Sequence, residues 1–119
     1  MNTAFKTYEA EKVLADHGFW NSALNRLYYA AFYSLNALLT KNGVDTHSHS
    51  GVKSQFSLHF IKTGKMNKEF GRVFAELNDW RQKGDYENLF DYNEESIKPL
   101  FEPVLALITT IDKEISKQV

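Results

Sequence analysis

Arg26 and Tyr33 are the residues of this chain whose types and spacing most suggest chemistry. Seven positions apart, they nearly align on one face of an α-helix, with Tyr29 between them. A guanidinium presents a planar fork that suits phosphate, and flanking tyrosines can stack bases. An arginine in an apolar patch is costly unless it is paired or faces an anion. Two readings follow: a buried Arg26 neutralised by a carboxylate such as Asp85, or a small anion site at a subunit junction. A second cluster is Arg81, Asp85 and Tyr86 in WRQKGDYE. Arg81 and Asp85 are four apart, so they form either a weak surface ion pair or part of a site. The third is His47-Ser48-His49, with His59 ten residues on. Zinc wants three or four ligands, and a chain without cysteine would have to find the rest among carboxylates. These histidines read as loop residues facing solvent, and no metal site is expected. No Glu-x-x-His, Gly-rich phosphate loop or Gly-x-Ser-x-Gly elbow occurs.

The element that must position Arg26 and Tyr33 is the run NRLYYAAFYSLNALL, residues 25–39. It has no Pro, Gly or β-branched residue, which suits a helix. Leu24, Leu27, Tyr28, Ala31, Leu35 and Leu38 make its expected core stripe. The far side carries Arg26, Tyr29, Ala30, Tyr33 and Ala37, more apolar than a solvent-facing side should be. A helix dry on both sides is buried on both sides. That means either its own chain or a second copy covers the far face.

The flanking chain is also helical. A first helix is expected over Thr3–His17 with His17–Gly18 as its stop. Asn21 or Ser22 is placed to cap the central helix, and Asn42–Gly43 to end it. A third helix is expected over Gly51–Lys62. A fourth is capped by Asn67 and striped with Phe70, Val73, Phe74, Leu77 and Trp80. After a loop with aromatic plugs at 86–92, Asp91 or Asn93 caps a last helix, with Glu94 and Glu95 in its first turn. Pro99 and Pro103 should kink that helix or delay its start. No strand pattern, repeat or linker appears. The expected fold is all-α, an up-and-down bundle of four to five helices forming one domain over residues 1–119.

Composition narrows the classes. A net charge of −1 gives no global basic field, so any RNA contact must be local. The absence of cysteine removes disulfides and thiolate chemistry and suits a reducing cytosol. The longest uncharged run, Leu27–Thr40, has 14 residues, short of the roughly 20 needed to span a bilayer. With no signal-peptide core near the N-terminus, a cytoplasmic location without membrane contact is expected.

Four segments in order, ALNRLYYAAFYSLNALL, SHSGVKSQF, FIKTG and WRQKGDYE, make the chain resemble HEPN-domain proteins of the small stand-alone prokaryotic type. The likeness covers roughly residues 5–115. It implies a helical bundle that dimerises through its second helix, acts with a minimal nucleotidyltransferase, and contacts RNA or a nucleotide phosphate without a cofactor. Many members resemble metal-independent endoribonucleases whose motif is Arg, four to six residues, then His. Arg26 matches the arginine, and Tyr33 stands where the histidine would be. An imidazole near pKa 6.5 takes a proton from a ribose 2′-OH at neutral pH, whereas an ordinary phenol near 10 is ionised only about one part in a thousand. The resemblance therefore implies a binding module holding its ligand at Arg26, with Tyr29, His49, Arg81, Asp85 and Tyr86 at matching positions. The alternative is an RNA-cleaving toxin of a toxin–antitoxin pair using Arg26 with Tyr33 or His49.

Overall fold

The computed structural model describes residues 2–16, 19–46, 48–86 and 92–117. Helix α2 (Trp20–Lys41) runs through the middle, and every other α-helix touches it. Helix α1 (Asn2–Asp16) lies along α2, burying Ala4 and Tyr8. Helix α3 (His49–Phe56) passes directly into a π-helical turn, Ser57–Ile61, and a long α4 follows at Lys68–Tyr86. A short α5 (Glu94–Ile97), a 3-10 turn (Lys98–Leu100) and α6 (Phe101–Lys117) complete the all-α bundle. At 1.5 Å per residue α2 is about 33 Å long, which nearly matches the 39 Å long axis of the molecule.

The inner stripe of α2 buries as its periodicity requires: Leu27, Tyr28, Ala31, Leu35 and Leu38 are fully buried and Leu24 nearly so. Val52, Phe56 and Phe60 meet it from α3 and the π-turn, Phe74 and Leu77 from α4, and Val104, Leu107, Ile108 and Ile111 from α6. The core is wider than that stripe. Ala30, expected on the far side, is fully buried, and so is Ser34, whose hydroxyl donates to the Ala31 carbonyl at 2.7 Å. Ala23, Ala30 and Ser34, small residues flanking Leu27, widen the buried face beyond the inner stripe. What stays outside is one narrow strip.

The ends of the helices follow local chemistry with one exception. Asn42–Gly43 ends α2, Gly43 taking φ +76°, a region open to glycine. The Asn67 side chain accepts from the Glu69 amide at 2.9 Å, and the Asn93 side chain accepts from the Ser96 amide at 3.0 Å. Pro99 falls in the 3-10 turn that separates α5 from α6, the break its missing donor demands. The exception is the start of α2. It begins at Trp20 without a side-chain cap, so Asn21 and Ser22 lie inside its first turn. The Asn21 amide oxygen instead accepts from the Tyr92 amide at 2.8 Å, a tie from the far end of the chain. Tyr92 stacks on Trp80 at 5.4 Å and 4°, and its hydroxyl donates to the Trp80 carbonyl, the aromatic plug expected after α4. The stop at His17–Gly18 lies outside the described residues. Among the described residues no helix is long and apolar enough to cross a membrane.

Candidate functional site

The open strip of α2 carries Ser22, Arg26, Tyr29, Tyr33 and Ala37 at three- and four-residue spacing. Arg26 is exposed and forms no ion pair among the described residues. Arg26 is therefore not the buried arginine of the first reading. Tyr33 is 38% exposed, while Tyr29 and Ala37 are half-buried. Two turns of helix separate Arg26 from Tyr33, about 10.5 Å along the axis. That spacing lets both face one ligand larger than a single phosphate, with the guanidinium at one end.

The aromatic rings beneath form a continuous set. Tyr29 lies 5.9 Å from Tyr33 and 5.2 Å, edge-on, from Tyr28. Phe32 packs 5.9 Å from Tyr33. Tyr28 stacks on Phe74 of α4 at 5.5 Å, which anchors the set in the core. Tyr33 is thus braced from behind by Tyr29 and Phe32 and turns its outer side to solvent.

Arg81, on α4, takes a different position. It is half-buried, with its guanidinium carbon 4.4 Å from the centre of the Tyr28 ring and 5.9 Å from that of Tyr29. It also hydrogen-bonds to the Tyr28 hydroxyl. Burial pushes the Tyr28 phenol above its ordinary value of 10.0, and the Arg81 charge and hydrogen bond pull against that rise. A desolvated cation over an aromatic face is worth about 2 kcal/mol, so Arg81 is first a clamp between α4 and α2. In the sequence Tyr28 falls on the core stripe of the second helix, and Arg81 stands four residues before Asp85. Their pairing spans two distant segments, and no local spacing signals it.

The remaining candidate positions are not joined to this strip by any described contact. His49 is the first residue of α3, and Asp85 and Tyr86 close α4. Their side chains lie outside the described residues, as does His47. The rest of the Ser-His-x-Gly segment does have a structural account. Ser48 caps α3, its hydroxyl accepting from the Gly51 amide at 2.9 Å. A Cβ on Gly51 would sit 3.0 Å from that hydroxyl, so the cap itself favours glycine there.

A bundle wrapped round one long helix, with an arginine and an aromatic group on that helix's open strip, is the architecture that the resemblance implies. The HEPN domain family matches residues 1–114, and the chain belongs to that family. It is 38% identical over 104 residues to a "UPF0332 protein" of Thermotoga maritima, covering 87% of this chain and 79% of that one. It is also similar to two Methanocaldococcus jannaschii proteins. One, named "Putative toxin MJ0142", is 33% identical over 97 residues, 82% of this chain and 66% of that one. The other, named "Putative toxin MJ0605", is 32% identical over 83 residues, 70% and 62%. The chain thus spans about two thirds of the length of these two relatives.

Proposed function

We propose that this HEPN domain is a cytoplasmic homodimeric binding module that meets its twin through the open strip of α2 and holds an RNA or nucleotide phosphate at Arg26. Its partner in this reading is a minimal nucleotidyltransferase, in an arrangement of toxin–antitoxin type. The single observation that carries the reading is the exposed Arg26, free of any described carboxylate, on the same strip as Tyr29 and Tyr33. An uncompensated guanidinium beside aromatic rings favours an anion with a stacking base. With a phenol in place of an imidazole, proton abstraction from a 2′-OH loses its ordinary base. Arg81, committed to Tyr28, supports the strip from below and adds positive potential there. The two relatives named as toxins favour a second reading, metal-independent RNA cleavage in which Arg26 holds the scissile phosphate and Tyr33 or His49 takes the proton.

Two measurements on the purified chain test these readings. In sedimentation equilibrium the wild type should behave as a dimer, and Tyr33→Glu should shift it to monomer. In the presence of EDTA, labelled RNA should stay intact while its affinity drops at least tenfold on Arg26→Ala. Cleavage that persists in EDTA and disappears on Arg26→Ala selects the second reading. RNA binding unchanged by Arg26→Ala removes both.

A further inference from the structure

A concavity of about 410 Å³ lies on α3 and the π-turn, lined among the described residues by Ser50, Lys53, Ser54, Ser57 and Lys62. Three hydroxyls and two ammonium groups form its lining. Neither lysine forms an ion pair among the described residues. Elsewhere Arg72, Lys83 and Lys98 each meet a carboxylate one helical turn away. The contrast begins in the sequence. Residues 46–68 hold Lys53, Lys62, Lys65 and Lys68 and none of the 15 acidic residues of a chain whose net charge is −1. Charge is therefore segregated: one basic segment on an otherwise acidic protein.

The π-turn explains how Lys62 reaches the concavity. From Lys53 to Ser57 the step is four residues, an α-helical turn. From Ser57 to Lys62 it is five, and the Lys62 amide bonds to the Ser57 carbonyl at 2.8 Å. A regular α-helix would bring Ile61 to this face. The inserted residue turns Ile61 toward Gly71 of α4, where a Cβ on that glycine would meet the Ile61 side chain at 3.3 Å. Phe56 and Phe60, four apart, stay stacked in the core on the opposite side. Single π-turns of this kind recur at functional sites.

We propose that this concavity is a phosphodiester site, distinct from Arg26, that grips the backbone of a nucleic-acid strand. Exposed lysines hold a lone phosphate weakly, but on a polyanion each contact releases condensed counterions. Lys53 and Lys62 stand nine residues apart, one α-turn and one π-turn along the same face, so their two ammonium groups suit two phosphates of one strand better than one ion. Among the described residues the lining offers hydroxyls and ammonium groups, which hold phosphate oxygens rather than read a base edge, so the contact is to the backbone and independent of sequence. The site stands whether or not Arg26 touches RNA.

The test is fluorescence anisotropy of labelled twelve-nucleotide oligo(U) and oligo(dT) with the full chain in EDTA, over a salt series. The proteins are wild type, Lys53→Gln/Lys62→Gln and Arg26→Ala, with circular dichroism to check folding. The double variant should bind about tenfold more weakly at 0.1 M salt, and its log–log salt slope should flatten by about 1.4, two single-strand phosphates' worth. The oligonucleotide held more tightly by the wild type identifies the strand. Wild-type affinity and slope in the folded double variant overturn the site. Displacement of the oligonucleotide by inorganic phosphate at equal phosphate concentration also overturns it, by making the pocket a single-anion site. A drop confined to Arg26→Ala would leave the Arg26 reading standing and remove this one. A drop confined to the double variant would do the reverse.

Discussion

Two arginines of this domain sit beside tyrosines of the same helix and do different work. Arg81 reaches from α4 onto the buried Tyr28, half-shielded from water and stacked at 4.4 Å. Arg26 and Tyr33 share α2's outer strip, exposed and with no described counter-charge on the arginine. The same pair of residue types is a structural clamp on one side of the helix and a candidate ligand grip on the other. Burial, not residue type, separates them. A guanidinium half-buried against a ring serves the packing of two helices, whereas one in water keeps its whole fork.

The inner pair should therefore dominate folding. Tyr28→Ala removes a fully buried ring that stacks on Phe74, and should cost about 4 kcal/mol, read as a lowered urea midpoint. Tyr33→Ala on the outer strip should change the midpoint by under about 1 kcal/mol. Similar losses at the two positions would break the contrast. Next in size is Arg81→Ala, expected to cost about 2 kcal/mol through lost stacking and packing. Arg81→Lys should recover only part of this, because an ammonium cannot lie flat on the ring while bonding the hydroxyl. Arg26→Ala should leave the midpoint within about 0.5 kcal/mol.

The clamp also has a pH signature. The Tyr28 phenol is raised above 10.0 in the folded state. Above pH 10 the unfolded chain releases a proton that the folded chain still holds, so stability falls as pH rises from 10.0 through the folded value. Below that window the contribution is fully present. Urea midpoints from pH 8 to 11.5 should decline more shallowly in Tyr28→Phe than in wild type. An equal decline in both would place the loss on other groups.

What could be read from the sequence was whatever depends on local spacing. The inner stripe of α2, the Asn67 and Asn93 caps, the Asn42–Gly43 ending and the break at Pro99 each follow from a few neighbouring residues. The misread parts depend on distant ones. Ala30 is buried because the core wraps further round α2 than its large apolar residues mark, and alanine is too small to signal its side. Asn21 is no cap because Tyr92 takes its oxygen. The π-turn answers a demand from Gly71 and the core, which no helical period encodes. In the site, the strip with Arg26, Tyr29 and Tyr33 follows from helix geometry alone. The Arg81–Tyr28 pairing needed two helices in place.

The smallest effect on folding should come from the substitution most informative about the outer strip, Tyr33→His. Position 33 is 38% exposed and braced by Tyr29 and Phe32, so an imidazole fits with a change of under about 0.5 kcal/mol. Its chemical effect is of another order. An imidazole with pKa about 6.5 can accept a 2′-OH proton at neutral pH, and Arg26 lies two turns away on the same side to hold the phosphate. The variant should cleave RNA in EDTA, with a rate that rises through the pH range near 6.5 and vanishes when Arg26→Ala is added. If the folded variant is as inert as wild type while still binding RNA, a missing base is not what silences the strip. The contrast would then shrink to one between a clamp and a passive anchor. If it cleaves, the two faces of α2 differ as their burial implies: one arginine built into the fold, the other held ready for a substrate.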